Sequence, residues 1–179
     1  PATEQGEQEE IEHPAYEIIS ALKDTEEEQE KADDILIHYQ STYRIGNDMY
    51  DEVFSIDQGD SFRGECGIGI GETLNNTEPK AVTAFEVWLF DKDDIHTATW
   101  YLVSDFALSN EGILSRLQQH GRCEQIKNNG IYVLETETLR VEIKVLDLEY
   151  GSEMDEKNSY FTGVTFDVVA RSKDTDINE

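Results

Sequence analysis

Basic residues are scarce in this 179-residue sequence: 14 Lys and Arg stand against 40 Asp and Glu, a formal net charge of -26. Phosphate backbones and anionic lipid surfaces are held by clustered Lys and Arg, so direct binding of nucleic acid or of a membrane surface is not expected. Cysteine is nearly absent as well. Cys66 and Cys123 match no zinc or redox spacing, and two are too few for a disulfide-stapled extracellular fold. They are read as reduced thiols, and a cytoplasmic location is expected. No run of about 18 apolar residues occurs, and no basic stretch leads into an apolar one, so neither a spanning helix nor a secretory leader is expected. Pro1 stands where Met would, which suggests a processed or trimmed start.

The acidity is uneven. Residues 1–34 hold 13 acidic residues against two lysines, leaving 27 acidic and 12 basic residues for the remainder, which is therefore acidic in its own right. Such a balance favours solubility and steers cationic partners at some cost in self-repulsion, and adaptation to high salt would produce the same bias. The first dozen residues are too polar to repay their ordering entropy. From Pro14, Tyr16, Ile19 and Leu22 recur at helical spacing, with Pro14 suited to a first turn. An acidic arm, partly disordered and with a short helix, is predicted over 1–34, a β-rich domain over 35–172 and a disordered tail over 173–179.

The domain is predicted to be mainly β. Strands are expected over 42–45, 52–56, 62–74, 82–90 and 97–103, separated by short turns rich in Asn, Asp and Gly. In the fourth, Phe85, Val87 and Leu89 alternate with Ala84, Trp88 and Phe90, the pattern of a central strand covered on both faces. One internal helix follows, with Ser109 as its cap, Ile113, Leu114 and Leu117 on one side, and Gly121 at its stop. Asn129-Gly130 is the strongest hairpin signal, because both turn positions require positive φ. Leu139, Val141, Ile143 and Val145 then alternate with charged residues before Leu146, Leu148 and Tyr150 take over the apolar role. That slip predicts a bulge near Val145. The last strand carries Tyr160, Thr162, Val164, Phe166 and Val168 on one face. About eight or nine strands with one internal helix point to an antiparallel sandwich or a partly closed barrel.

No catalytic pattern emerges, so no enzyme activity and no cofactor are expected. Gly67, Gly69 and Gly71 fail the spacing of both the dinucleotide fingerprint and the P-loop, and Glu72 follows where phosphate chemistry needs a lysine. Their period of two puts them on one face of a strand, open to close approach by a bulky side chain, another strand or a ligand. Asp91, Asp93 and Asp94 are weak metal candidates. An EF-hand loop begun at Asp91 would place His96 and Leu102 where Gly and Glu belong, and the plainer reading is a solvated turn. The histidines make no local zinc spacing, and a Cys66–His120 nucleophile pair would depend wholly on folding. Trp88, Phe90, Trp100 and Tyr101 lie on adjacent strands. As a cluster they are either core or, if exposed, a recognition surface ringed by acid and suited to a basic peptide or a quaternary amine. Asn75-Asn76-Thr77 satisfies the glycosylation pattern, a short match that arises often by chance.

Several stretches carry a resemblance: Tyr50-Asp51-Glu52, Gly64-Glu65-Cys66-Gly67-Ile68-Gly69-Ile70, the run 83–95 and Val133-Leu134-Glu135-Thr136. Together they resemble a family of uncharacterised bacterial proteins over about residues 40–170. The resemblance implies a bacterial source and a body that is one unit, with the acidic arm as a variable addition. It brings no activity with it. The expectation is a non-enzymatic acidic interaction or assembly domain for a basic protein partner. The alternatives are a nucleic-acid mimic that occupies a DNA-binding protein and a ligand- or metal-binding β-barrel.

Overall fold

The computed structural model describes residues 35–74, 77–153 and 156–173. The acidic arm, Asn75-Asn76 and the tail from 174 lie outside the described residues. The elements run β1 (Ile35–Arg44), β2 (Asp51–Gln58), β3 (Ser61–Leu74), β4 (Ala81–Asp91), β5 (His96–Val103), α1 (Asp105–Ser109), α2 (Glu111–Gln118), β6 (Arg122–Gln125), β7 (Ile131–Glu135), β8 (Leu139–Glu153) and β9 (Glu156–Ser172). A four-stranded sheet has the order β1-β9-β8-β7 and a five-stranded sheet the order β2-β3-β4-β5-β6. Among the described residues neither sheet closes on itself, so the sandwich is adopted and not the barrel. The β5–β6 pairing is parallel. A parallel neighbour needs a crossover, and α1 with α2 supplies it.

Alternation explains the core. Phe85, Val87 and Leu89 point from β4 into the space between the sheets. There they meet Val141, Ile143 and Val145 of β8 and Val164, Phe166 and Val168 of β9, all fully buried. Phe85 is the hub, with edge contacts to Tyr43 and Phe166 at centroid distances of 5.2 Å each and to Tyr50 at 5.9 Å. Burying one such side chain contributes roughly 1.5–3 kcal/mol before ordering entropy is subtracted. The opposite face of the five-stranded sheet has a second, smaller cluster in which Ala84, Tyr101 and Val103 lie under Ala107, Ile113 and Leu117 of the helices. That cover stops short of Trp88 and Phe90, which stay half-buried. β4 is thus central, but helices shield its second face only at the Ala84 end.

Two local expectations are corrected. The helical region is two helices, not one. Ser104 caps α1, its Oγ accepting from Ala107 N at 3.1 Å, and Asn110 caps α2, its Oδ1 accepting from Ile113 N at 3.0 Å. Ser109 is instead the last residue of α1. Asn129-Gly130 makes no hairpin, because β6 and β7 belong to different sheets. It is a turn between sheets: Asn129 has the expected positive φ, 58°, whereas Gly130 does not, and the Asn129 N–H donates to Val145 O at 2.9 Å, pinning the crossing to β8. The slip near Val145 does appear, as a register shift between Val145 and Asp147 against β9.

Candidate functional site

Cross-strand register builds a distinctive patch on the outer face of the five-stranded sheet. Asp51 on β2, Gly69 on β3, Glu86 on β4 and Tyr101 on β5 stand in one row, and Val53, Gly67, Trp88 and Thr99 in the next. Each glycine makes room for something different. At Gly67 a Cβ would lie 2.6 to 2.7 Å from Cε2, Cζ2 and Nε1 of Trp88, so the indole lies flat on the β3 backbone. At Gly71 a Cβ would meet the Glu86 N at 2.9 Å and the Tyr101 ring at 3.0 Å. An aromatic laid over a strand glycine covers backbone that the glycine leaves bare. At Gly69 the space stays open, with only Asp51 Oδ1, 3.1 Å from the Cβ position, closer than 3.4 Å.

Gly69 is therefore the floor of a surface groove of about 420 Å³, walled by Trp88, Asp51, Glu86 and the β1–β2 turn at Asp48 and Met49. Met49 projects into solvent at 86% exposure, and Val53 is 53% exposed on the same face. Lys80 also reaches the groove but is tied to the turn: its N–H donates to Asp48 Oδ1 at 3.0 Å and its Nζ to Asp48 O at 3.3 Å. Among the described residues no ion pair includes Asp51 or Glu86. The outer face of the four-stranded sheet is built differently. There Arg44 meets Glu149 at 2.6 Å and Asp147 at 3.8 Å, Arg140 meets Glu135 at 2.9 Å, and His38 meets Asp167 at 2.8 Å. Ion pairs occur on the five-stranded sheet too, Arg63 with Asp93 and Arg116 with Glu72 among them, but around Gly69 the carboxylates stand beside an indole and outside any such pair.

The expected aromatic cluster is divided. Trp88 and Phe90 share the outer face, and Tyr101, on that face too, is buried beneath the helices at 7% exposure. Trp100 points the other way, packed against the inter-sheet core with the Arg122 guanidinium 4.3 Å from its ring centroid. Strand alternation separates Trp100 from Tyr101, which adjacent sequence positions conceal.

The three aspartates of the β4–β5 turn have separate tasks. Asp91 is fully buried and accepts from the N–H groups of Asp93 at 2.9 Å and Asp94 at 3.3 Å, from Thr136 Oγ1 at 2.7 Å, and from Thr138 N and Oγ1 at 3.0 and 2.9 Å. Burial alone would raise its pKa; these donors outweigh burial and hold the carboxyl at about 2. Asp91 is thus a latch between the β4–β5 and β7–β8 turns, with its oxygens already committed. Asp93 pairs with Arg63 Nε at 3.2 Å, and Asp94 accepts from Glu137 N at 3.4 Å. No grouping of three or more metal-type side chains occurs among the described residues. Cys66 lies in the inter-sheet core with its thiol pushed up to about 12 by burial, whereas His120 is exposed beyond α2, so the two do not meet.

Asp51 and Glu86 went unnoticed in the sequence because 40 acids offer no contrast. The signal that singles them out is their position on either side of Gly69, which exists only once strand register is known. Comparison with known protein families, with curated proteins and with solved structures returned no match.

Proposed function

We propose that this chain is a non-enzymatic interaction domain for a basic protein partner, received on the outer face of the five-stranded sheet. One observation carries the proposal: Asp51 and Glu86 stand on the strands either side of Gly69, outside any ion pair among the described residues, beside an indole already fixed on Gly67. Carboxylates held by a sheet need little ordering on binding, and complementary potential speeds encounter and suppresses wrong partners. The net charge of -26 acts in the same direction at longer range.

The test is titration of the full chain with a lysine-rich peptide at low and high salt, followed by charge reversal on each face. Asp51→Lys with Glu86→Lys is expected to weaken binding about tenfold or more, and raised salt to weaken it further. Glu142→Lys, on the other sheet, is expected to have a much smaller effect. Binding that ignores salt, or that responds equally to reversal on either face, would contradict the proposal. DNA competing with the chain for a DNA-binding protein would favour the mimic instead.

A further inference from the structure

Resting on that proposed function, we infer that the groove over Gly69 is the seat of one cationic side chain of the partner, a lysine or an arginine. Its charge lies between Asp51 and Glu86, and its aliphatic stem runs along Trp88. Neighbouring strands are about 4.8 Å apart, so the β2 and β4 backbones stand about 10 Å apart with β3 between them. Gly69 occupies the middle position in that row and offers no side chain, so the floor between them is bare backbone, with the Asp51 Oδ1 3.1 Å from its Cβ position and Glu86 lining the same groove. Each carboxylate alone is an ordinary surface charge. Lining one groove from the strands on either side of a glycine, they create a position where a cation gains from both.

Trp88 identifies the cation as an organic one. Its indole is fixed flat on Gly67, so the face it presents is already ordered, and both lysine and arginine combine a positive head with an apolar stem that packs on such a face. Met49, highly exposed at the rim, adds adaptable apolar surface of the kind that accommodates side-chain stems. A bare metal ion fits less well. Calcium takes six to eight oxygens, and among the described residues no three acidic side chains gather closely enough to hold a metal ion. An anion is opposed by the carboxylates, and a wholly apolar ligand would bury them unpaired.

Gly69 also supplies the cleanest test. Its φ is not positive, and the atoms nearest a Cβ there are the Asp51 carboxylate at 3.1 Å and the Tyr50 O at 3.7 Å, so rotation of one flexible side chain admits the Cβ. Gly69→Val fills the groove without altering any charge. With a lysine-rich peptide as probe, Gly69→Val is expected to lower affinity about tenfold at an unchanged melting temperature, and Trp88→Ala to lower it comparably. Should valine perturb the fold, Gly69→Ala together with the Trp88 indole N–H resonance, assigned in a Trp100→Phe background, gives an independent reading. A saturable shift on titration is expected.

Native affinity in a folded Gly69→Val chain, or an indole resonance that does not move, would overturn the inference. If Asp51→Lys with Glu86→Lys still abolished binding, the acidic face would stand as the partner surface without this seat. If charge reversal also had no effect, both would fall. Displacement of the peptide by millimolar calcium alone, at constant ionic strength, would assign the groove to a metal and likewise overturn the inference.

Discussion

At Gly67 the absence of a side chain lets Trp88 lie against β3, so adding a single methyl is costly. Gly67→Ala places a Cβ 2.6 Å from the indole and is expected to destabilise the fold by about 1–3 kcal/mol, with a changed Trp88 emission spectrum. Denaturant titration with fluorescence detection measures both effects, and an unchanged midpoint would show that the ring is free to swing aside. Asp91 governs acid stability. Its pKa falls from an ordinary 3.8 to about 2 on folding, so its contribution, about 2 kcal/mol, is complete above pH 4 and is lost as pH falls from there through about 2. Asp91→Asn is expected to lower stability at pH 7 by about 2 kcal/mol or more, since an amide brings its own N–H to a site filled with donors, and to flatten the dependence between pH 4 and 2. Equilibrium unfolding across that range is the measurement. The two residues differ in how much the sequence shows of them. That the glycines share one face of β3 is legible from period two alone; the part played by Asp91 is not, because its partners Thr136 and Thr138 lie on a turn of the other sheet.

At the scale of elements, local chemistry is legible where it is self-contained. The bulge near Val145 follows from the slip in alternation, since a strand of fixed period shows an inserted residue directly. The helix pair is less visible. Asn110 competes with Ser109 for the cap, and α1, five residues long, is too short to show a period. What fixes α1 is tertiary: Ser104 Oγ lies 2.6 Å from Thr83 Oγ1, and these hydroxyls reach the Ser159 O at 3.2 and 2.8 Å respectively. All three residues are buried, so the cap doubles as a polar tie from the helix to β4 and β9. Ser104→Ala is expected to cost about 2 kcal/mol, more than a surface cap, because it leaves buried hydrogen-bonding groups unmatched. A shift in the urea midpoint at constant slope would show it, whereas a loss below about 0.5 kcal/mol would mean that water replaces the hydroxyl. Asn129-Gly130 teaches the complementary lesson. Positive φ is encoded locally at Asn129, but whether the chain then pairs with the preceding strand or crosses to the other sheet depends on where the next apolar run is buried.

Over the described domain, the fold singles out one patch of the acidic surface. Ion pairs stud both sheets, Arg44 with Glu149 on one and Arg116 with Glu72 on the other, whereas the groove over Gly69 gathers an indole and carboxylates that enter no ion pair among the described residues. Composition shows the excess of acid but not its placement, because placement depends on which strand stands beside which. The excess has a thermodynamic side: self-repulsion at a net charge of -26 is expected to lower stability at low ionic strength, so moderate salt should raise the melting temperature even as it weakens peptide binding. Opposite salt responses of stability and affinity, measured on one preparation, would separate the two effects. The most direct test of the acidic recognition face is amide chemical-shift mapping of the full chain during titration with the lysine-rich peptide. Shifts centred on Asp51, Gly67, Gly69, Glu86 and the Trp88 indole, with β8 and β9 unmoved, are the expected result; shifts spread evenly over both sheets, or centred on the four-stranded one, would contradict it.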